Sequence, residues 1–269
     1  MIKKEGELMS SVKLTIIGAG SVVFSLGLVK DICLTQELKG STVHFVDINE
    51  ERLDVVYQLA KRYAEDLGAN LQFEKTTDRC EALEGTDFVI NTATATHNEY
   101  YMKRRREMLD TMGYFYGASG MPEYHNLQIF LDVARDVERI SPDATILLAG
   151  NPVFDGTTLM GRETELNVIG LCHGHYGVHH TAQIIGLDPA KITWQAPGLN
   201  HNIWLTKFFY DGQDAYPLLD KWIDENIEAY WKTHSDAGKV IPAQMSPAAI
   251  HQYKLYGLFP IGDTPRRGG

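Results

Sequence analysis

The strongest constraint on the fold is a short β-branched run near the N-terminus that ends in a glycine-rich turn. Residues 12–17 lead into Gly18, Ala19, Gly20 and Ser21, and an apolar stretch with helical character follows at residues 22–33. A strand, a tight turn and a helix in this order are typical of the first unit of a nucleotide-binding α/β fold. The turn alone is a weak signal, because glycine-rich turns occur in many folds.

Strands and helices continue to alternate along the N-terminal part of the chain. A second strand at residues 42–46 is followed by Asp47 and by a helix from about residue 50 to residue 66, and another helical pattern covers residues 127–140. Three later apolar runs are predicted as buried strands: residues 88–92, 144–148 and 168–171. The alternation predicts a Rossmann-type doubly wound parallel sheet with right-handed crossovers.

The pattern changes after Pro197. Aromatic residues crowd together from Trp204 to Tyr210, and helices are predicted at residues 216–231 and around residues 247–255. We therefore predict a nucleotide-binding domain at residues 11–195 and a partial α+β domain for substrate and metal at residues 196–269. No further helix or strand is predicted after Thr264, so we expect this second domain to be incomplete.

The composition excludes several kinds of partner. A net charge of −10 argues against nucleic acid, and the one dense basic run, residues 103–106, is expected to be a solvated helix face. Cys33, Cys80 and Cys172 are too widely spaced for a disulfide framework or a Cys-x-x-Cys zinc site, which fits a reducing cytoplasm. No run approaches the roughly 18 apolar residues that span a membrane, and residues 1–10 are charged and lack the apolar core of a signal peptide. We expect a cytoplasmic location and no membrane partner.

The glycine turn indicates the cofactor. Gly18 permits a tight turn and Gly20 lets the backbone approach a pyrophosphate, although Val23 occupies the position of the third glycine. Asp47, at the end of the second strand, is placed to accept hydrogen bonds from the adenosine ribose and disfavours a 2′-phosphate, so we predict NAD rather than NADP. Thr92 would lie along the phosphates or the nicotinamide ribose. The alternative is an ordinary turn, with Asp47 capping the next helix and Thr92 in a small-residue loop.

A second group of residues introduces a thiol and several imidazoles. The sequence from Gly170 to His175 includes Cys172 and His173, and His201 ends a Gly-Leu-Asn-His run. Alone, a cysteine is more often a buried apolar residue, and a histidine is often structural. Downstream of a nucleotide-type turn, they suggest a nicotinamide-dependent, metal-assisted enzyme.

Seven short motifs together carry a resemblance to a known family. They are Ile17-Gly-Ala-Gly-Ser21, Val46-Asp-Ile48, Phe88-Val-Ile-Asn-Thr92, Ala149-Gly-Asn-Pro152, Cys172-His-Gly-His-Tyr-Gly177, Gly198-Leu-Asn-His201 and Pro260-Ile-Gly-Asp-Thr264. In this order they resemble family 4 of the glycoside hydrolases, most closely its α-glucosidase and α-galactosidase branch, with α-glucuronidases and α-galacturonidases as neighbours.

The resemblance implies an unusual route to hydrolysis of a glycoside. Members of this family use NAD and a divalent metal instead of two carboxylates across the scissile bond. NAD oxidises the C3 hydroxyl, a base removes the C2 proton, the glycosidic oxygen leaves, water adds, and the hydride returns to C3. The metal, Mn²⁺ or another divalent ion such as zinc or nickel, stabilises the charge that develops on the C2 and C3 oxygens.

The resemblance also assigns residues to these roles. Cys172 and His201 take the metal-ligand positions, and His173 lies near the C2 and C3 oxygens. Asn151 contacts substrate and nicotinamide, and Asp263 is the base. Each has a structural alternative: a buried thiol, a hydrogen-bonded histidine, a turn asparagine or a surface aspartate. Tyr256 is a reserve candidate for the base.

The chain departs from the family pattern in two places. The α-glucosidases carry a longer acidic loop after their Gly-Tyr-Tyr segment, whereas here the loop after Gly113 is short and Glu123 is its one carboxylate, a candidate substitute acid or a helix N-terminal charge. Family members also continue beyond the Asp-Thr motif into a tail that builds subunit contacts. We expect a C-terminally truncated chain, and a homo-oligomer if the tail is present.

Two other functions stay open. The first is an NAD-dependent hydroxy-acid dehydrogenase, which would not need the thiol ligand. The second is a truncated NAD-binding homologue without activity. α-Glucosides are the favoured substrates, and a 6-phosphate is disfavoured because the phospho-sugar branch resembles Cys-Asn where this chain has Cys172 and His173.

Overall fold

The computed structural model describes residues 11–95, 98–113, 120–199, 201–239 and 241–267. The chain forms two compact units, of which the first extends through Leu171 and the second begins at Cys172. No helix within these described ranges is both long and apolar enough to cross a membrane.

The first unit is built on a six-stranded parallel sheet. Its strands are β1 (Lys13–Ile17), β2 (Thr42–Val46), β3 (Gln72–Thr76), β4 (Phe88–Asn91), β5 (Thr145–Leu148) and β6 (Asn167–Gly170). Their spatial order is β3-β2-β1-β4-β5-β6, so the order reverses between β1 and β4. This is the strand order of dinucleotide-binding folds, and it confirms the predicted doubly wound sheet.

Helices cover both faces of this sheet. They are α1 (Val22–Leu34), α2 (Glu50–Leu67), α3 (Arg79–Leu83), α4 (Asn98–Met112), α5 (Gly120–Ile140) and α6 (Val153–Glu163). One core cluster joins Ile17 and Ile146 to Phe130 of α5, and the other joins Ile16 to Val56 of α2. Because adjacent residues such as Ile16 and Ile17 point to opposite faces of a strand, the two clusters lie on opposite sides of the sheet.

Strand β3 and the start of α5 differ from the sequence-based expectation. In β3 only Phe73 is a large apolar residue and the strand is mostly exposed, so it lacks the apolar run of a buried strand. Helix α5 begins at Gly120, before the apolar pattern that predicted a start at residue 127.

The second unit combines two three-stranded antiparallel sheets with helices. Its elements are α7 (Tyr176–Ile184), β7 (Ile192–Gln195), β8 (Gly198–Leu199), β9 (Asn202–Leu205), β10 (Lys207–Tyr210), β11 (Gln213–Asp214), α8 (Tyr216–Asp236), α9 (Pro247–Tyr256), β12 (Phe259–Ile261) and α10 (Thr264–Arg267). Strand β10 lies between β11 and β7, and β9 lies between β12 and β8.

The compact unit begins earlier than the predicted domain boundary between residues 195 and 196. Val178 and Ala182 of α7 and Ile192 of β7 pack into one core with Leu219 of α8 and Phe259 of β12. Burial of these side chains in a common core groups α7 and β7 with the C-terminal part of the chain.

Candidate active site

The glycine turn after β1 is shaped by close backbone contacts. The Gly18 and Ala19 amides donate to the Val46 carbonyl oxygen at 2.9 and 3.0 Å. Gly18 has a φ of 86°, and a Cβ there would lie 2.6 Å from the Ala93 nitrogen. The Thr92 hydroxyl donates to the Ile17 carbonyl at 3.0 Å, which ties the loop after β4 to the turn. A side chain at Gly18 would therefore force these loops apart.

Asp47 lies against the second glycine of the turn. Its Oδ2 accepts from the Gly20 amide at 2.7 Å and its Oδ1 accepts from the Asn49 amide at 2.9 Å. A Cβ at Gly20 would lie 2.7 Å from the Asp47 carboxyl carbon. Asn49, not Asp47, caps α2, because the Asn49 side chain accepts from the Arg52 amide. Asp47 thus joins β2 to the glycine turn, and the alternative of a simple helix cap is wrong.

The other cofactor candidates of the first unit lie at the same edge of the sheet. Ser21 is exposed and precedes α1, whose N-terminal amides favour an anion. Thr92 follows β4 and is half-buried, and Asn151 follows β5 and is exposed. With Gly18, Gly20 and Asp47, these residues surround the carboxyl ends of β1, β2, β4 and β5. Ligands of doubly wound sheets bind at this edge, where the strand order reverses.

In the second unit, Cys172 begins a short exposed loop. The thiol-bearing residue and His173 are both exposed, and a single 3₁₀ turn covers His173–His175. The His175 Nδ1 lies 3.2 Å from the Cys172 carbonyl oxygen. Since a carbonyl only accepts, Nδ1 of His175 carries the proton in this contact. The His175 ring stacks on Trp194 with ring centres 6.3 Å apart, which fixes the start of α7.

His201 and Asp263 lie within hydrogen-bond distance of each other. His201 Nδ1 lies 2.9 Å from Asp263 Oδ2, and the two side chains are 30% and 39% exposed. His201 has a positive φ of 54° in the turn between β8 and β9. Non-glycine residues in this region are uncommon, and His, Asn and Asp adopt it more readily than other residue types.

Hydrogen bonds and close packing bring the Cys172 loop, the β9 strand and Asp263 together. A Cβ at Gly262 would lie 3.1 Å from the Gly174 Cα, so the two backbone segments pack closely at this point. The buried Gln244 donates to the Gly262 carbonyl at 2.9 Å. The Thr264 hydroxyl accepts from the Ile203 amide at 2.8 Å and donates to the Ile203 carbonyl at 3.0 Å. Sequence reasoning gave no role to Gln244 or to Thr264, since nothing in the sequence marks them as buried.

The predicted metal ligands are one thiol and one imidazole. Among the residues described by the structure, no group of three or more His, Cys, Asp or Glu side chains is placed to hold a metal ion. Cys172 and His201, the predicted ligands, would offer a thiol and an imidazole, which suit a borderline-soft divalent metal whose other positions would be filled by water or substrate oxygens.

The reserve candidate for the base, Tyr256, is the last residue of α9. Tyr256 is 62% exposed and packs edge-on against Trp204, with ring centres 5.3 Å apart. The side chain of Glu123 and residues 114–119 lie outside the described part of the chain.

Comparison with known proteins identifies the family. The model of the family 4 glycosyl hydrolases matches residues 13–187, and the model of their C-terminal domain matches residues 196–264. The chain belongs to family 4 of the glycosyl hydrolases. This confirms the resemblance carried by the seven motifs.

Individual family 4 proteins are similar over much of the chain. An α-galactosidase of Bacillus subtilis is 28% identical over 78% of the chain and 50% of its own length. An α-glucosidase of Erwinia rhapontici is 32% identical over 76% of the chain and 48% of its own length. The chain spans about half the length of these curated relatives.

A solved structure shares the fold. A 6-phospho-α-glucosidase from gut microorganisms, solved in complex with NAD and Mn²⁺, matches 95% of the chain and 60% of its own length. Its TM-score is 0.74 at 18% identity.

Proposed function

We propose that this family 4 chain hydrolyses α-glycosidic bonds, with α-glucosides as the first substrate class, by NAD-mediated oxidation, elimination and water addition. One observation carries the proposal: Asp263, which contacts His201, follows Gly262, and Gly262 packs against Gly174 in the loop that begins at Cys172. The chain therefore brings the His201 imidazole, the Asp263 carboxylate and the Cys172 loop together within one compact unit. The α-glucosidase and α-galactosidase relatives support the choice of substrate class.

The first unit would bind NAD at the carboxyl edge of its sheet. The turn at Gly18 and Gly20 has no side chain to obstruct a pyrophosphate, and the N-terminal amides of α1 favour its charge. Asp47 is fixed beside the turn by the Gly20 and Asn49 amides, and its carboxylate can accept further hydrogen bonds from ribose hydroxyls. Its negative charge would repel a 2′-phosphate, which supports NAD over NADP.

The second unit would bind the metal and move the C2 proton. Cys172 and His201 would hold the divalent ion, with Mn²⁺ as the first candidate. When bound, the metal would polarise the C2 and C3 oxygens of the sugar and NAD would take and return the C3 hydride. Asp263 would accept the C2 proton as the glycosidic oxygen departs with its bonding pair. His173 would donate to the C2 and C3 oxygens and so orient the ring.

The experiment is a nitrophenol-release assay with the p-nitrophenyl α-glucoside, α-galactoside and α-glucuronide. Each substrate is tested with and without NAD, Mn²⁺ and a thiol reductant, and free NADH is followed in the same cuvette. The proposal predicts hydrolysis that requires NAD and Mn²⁺, depends on reductant and leaves no NADH.

Two results would contradict it. NADH accumulation without nitrophenol release would indicate a dehydrogenase. Failure to hydrolyse all three glycosides by a chain that binds NAD would indicate an inactive homologue.

A further inference from the structure

Asn126 connects two loops at the edge of the first unit. It lies in α5 and is 3% exposed. Its Oδ1 accepts from the Ala95 amide at 2.7 Å and its Nδ2 donates to the Asn151 carbonyl at 2.8 Å. One buried amide group thus bonds simultaneously to the loop after β4 and to the loop after β5.

These two loops flank the point where the strand order reverses. Strand β4 pairs with β1 on one side and with β5 on the other. In the loop after β4, Ala93 packs against Gly18, and its carbonyl lies 3.1 Å from the position of a Cβ at Gly150. The loop after β4 is therefore held between the glycine turn and the loop that carries Asn151.

The position of the β4 and β5 loops indicates which part of a bound dinucleotide they would contact. With the pyrophosphate at Gly18–Gly20 and the adenosine ribose at Asp47, the adenosine half lies over β2. The nicotinamide half then extends to the other side of β1, over β4 and β5. Ala95 and Asn151 lie on that side.

We infer that Asn126 is a positioning residue that sets the spacing of the β4 and β5 loops and so forms the nicotinamide half of the NAD site. The inference rests on the proposed function only in requiring that the chain binds NAD. Asn126 acts through Ala95 and Asn151, and both of its bonds need an amide: one atom accepts and the other donates. A carboxylate of the same shape keeps the bond to the Ala95 amide but places an oxygen against the Asn151 carbonyl.

Asn126→Asp tests the inference, with NAD and ADP as the two probes in equilibrium binding. ADP contains the adenosine and pyrophosphate but has no nicotinamide. Loss of a buried hydrogen bond should weaken NAD binding about tenfold and leave ADP binding unchanged. Asn226→Asp is the matched control, since Asn226 is an exposed helical asparagine of α8 that bonds only within its own helix. It should alter neither affinity.

A general loss of stability would weaken the binding of NAD and of ADP alike. The ratio of the two affinities therefore separates a positioning role of Asn126 from a purely structural role. Equal loss of NAD and ADP binding, or no loss of either, would overturn the inference. A wild-type chain that binds ADP but not NAD would also overturn it, and one that binds neither would overturn the proposed function as well.

Hydrogen exchange in the wild-type chain gives a second test that does not depend on the variant's folding. Exchange of the Ala95 amide should be slowed by NAD and not by ADP. Equal protection by the two nucleotides would contradict the inference.

Discussion

His201 Nδ1 lies 2.9 Å from Asp263 Oδ2 in the second unit. A carboxylate only accepts hydrogen bonds, so Nδ1 carries the proton and Nε2 is the nitrogen with which His201 can bind a metal. Carboxylates that orient metal-binding histidines in this way fix both the tautomer and the direction of the ring. If His201 binds the metal, Asp263 would orient its ring in addition to acting as the proposed base.

Substitution of Asp263 should separate these two roles. Asp263→Ala removes the partner of His201 and is expected to lower the affinity for Co²⁺ or Mn²⁺ about 10- to 100-fold. Asp263→Asn keeps an oxygen that can accept from Nδ1, so it should bind metal more tightly than the alanine variant while still losing hydrolysis. Co²⁺ titration, followed by the cobalt–thiolate absorption, measures the affinity.

Asp211→Asn is the control for this experiment, because Asp211 is an exposed carboxylate paired with Lys191. An Asp263→Ala variant with wild-type metal affinity would show that the pairing does not serve the metal.

Cys172→Ser should abolish the cobalt–thiolate absorption and leave NAD binding unchanged. The hydroxyl of serine does not ionise as a thiol does, so a soft ligand is lost while the glycine turn stays intact. Cys80→Ser is the control, since the half-buried Cys80 lies in the first unit beside Arg139. Retention of the absorption in Cys172→Ser would assign the thiolate to another cysteine.

The sheet was predictable from the sequence because its inner strands are apolar on both faces. Residues of β1 and β4, such as Ile16, Ile17, Val89 and Ile90, are all buried. Strand β3 was not predictable in this way: it lies at the sheet edge, and its Gln-Phe-Glu-Lys-Thr sequence has a single large apolar residue. A strand buried on both faces has a continuous apolar run in its sequence, whereas an edge strand lacks this run.

The site was predictable as a set of residues but not as a set of contacts. The motifs pointed to Cys172, His201 and Asp263, yet no local pattern encodes that the imidazole and the carboxylate would pair across the second unit. The sequence did not indicate that Asn126 is buried, because a polar residue in an amphipathic helix ordinarily faces solvent. Its burial follows from the loops that cover it.

Gly18→Ala should destabilise the chain and weaken NAD binding. The positive φ costs about 1–3 kcal/mol for a residue with a side chain, and the new Cβ meets backbone atoms of Ala93. Urea unfolding and NAD titration measure the two effects. Gly27→Ala is the matched control, because nothing lies within 4 Å of a Cβ at this helical position, and it should stabilise by about 0.5–1 kcal/mol. If Gly18→Ala and Gly27→Ala changed the free energy of unfolding and the NAD affinity equally, the result would contradict the close packing of the turn.

His44 should make stability depend on pH. Burial, and then the nearby Lys13 ammonium, lower the pKa of His44, while Glu74 and Glu81 oppose the shift. As the pH falls, the unfolded chain therefore binds a proton at His44 before the folded chain does. The free energy of unfolding then decreases as the pH drops below about 6.5. His44→Gln should reduce that slope by up to about 1.4 kcal/mol per pH unit. Unfolding at a series of pH values tests this, with the exposed His251→Gln as control. Parallel pH profiles for wild type and His44→Gln would contradict it.

The central claim is that hydrolysis passes through removal of the C2 proton, and the most direct measurement is hydrolysis of p-nitrophenyl α-glucoside in D₂O with NAD and Mn²⁺. If Asp263 transfers the C2 proton to solvent and a solvent proton returns, the released glucose carries deuterium at C2, which proton NMR detects as loss of the C2 signal. Simple displacement at the anomeric carbon never breaks the C2–H bond. Deuterium at C2 is the result we predict, and released glucose with its original C2 hydrogen would contradict the proposed mechanism.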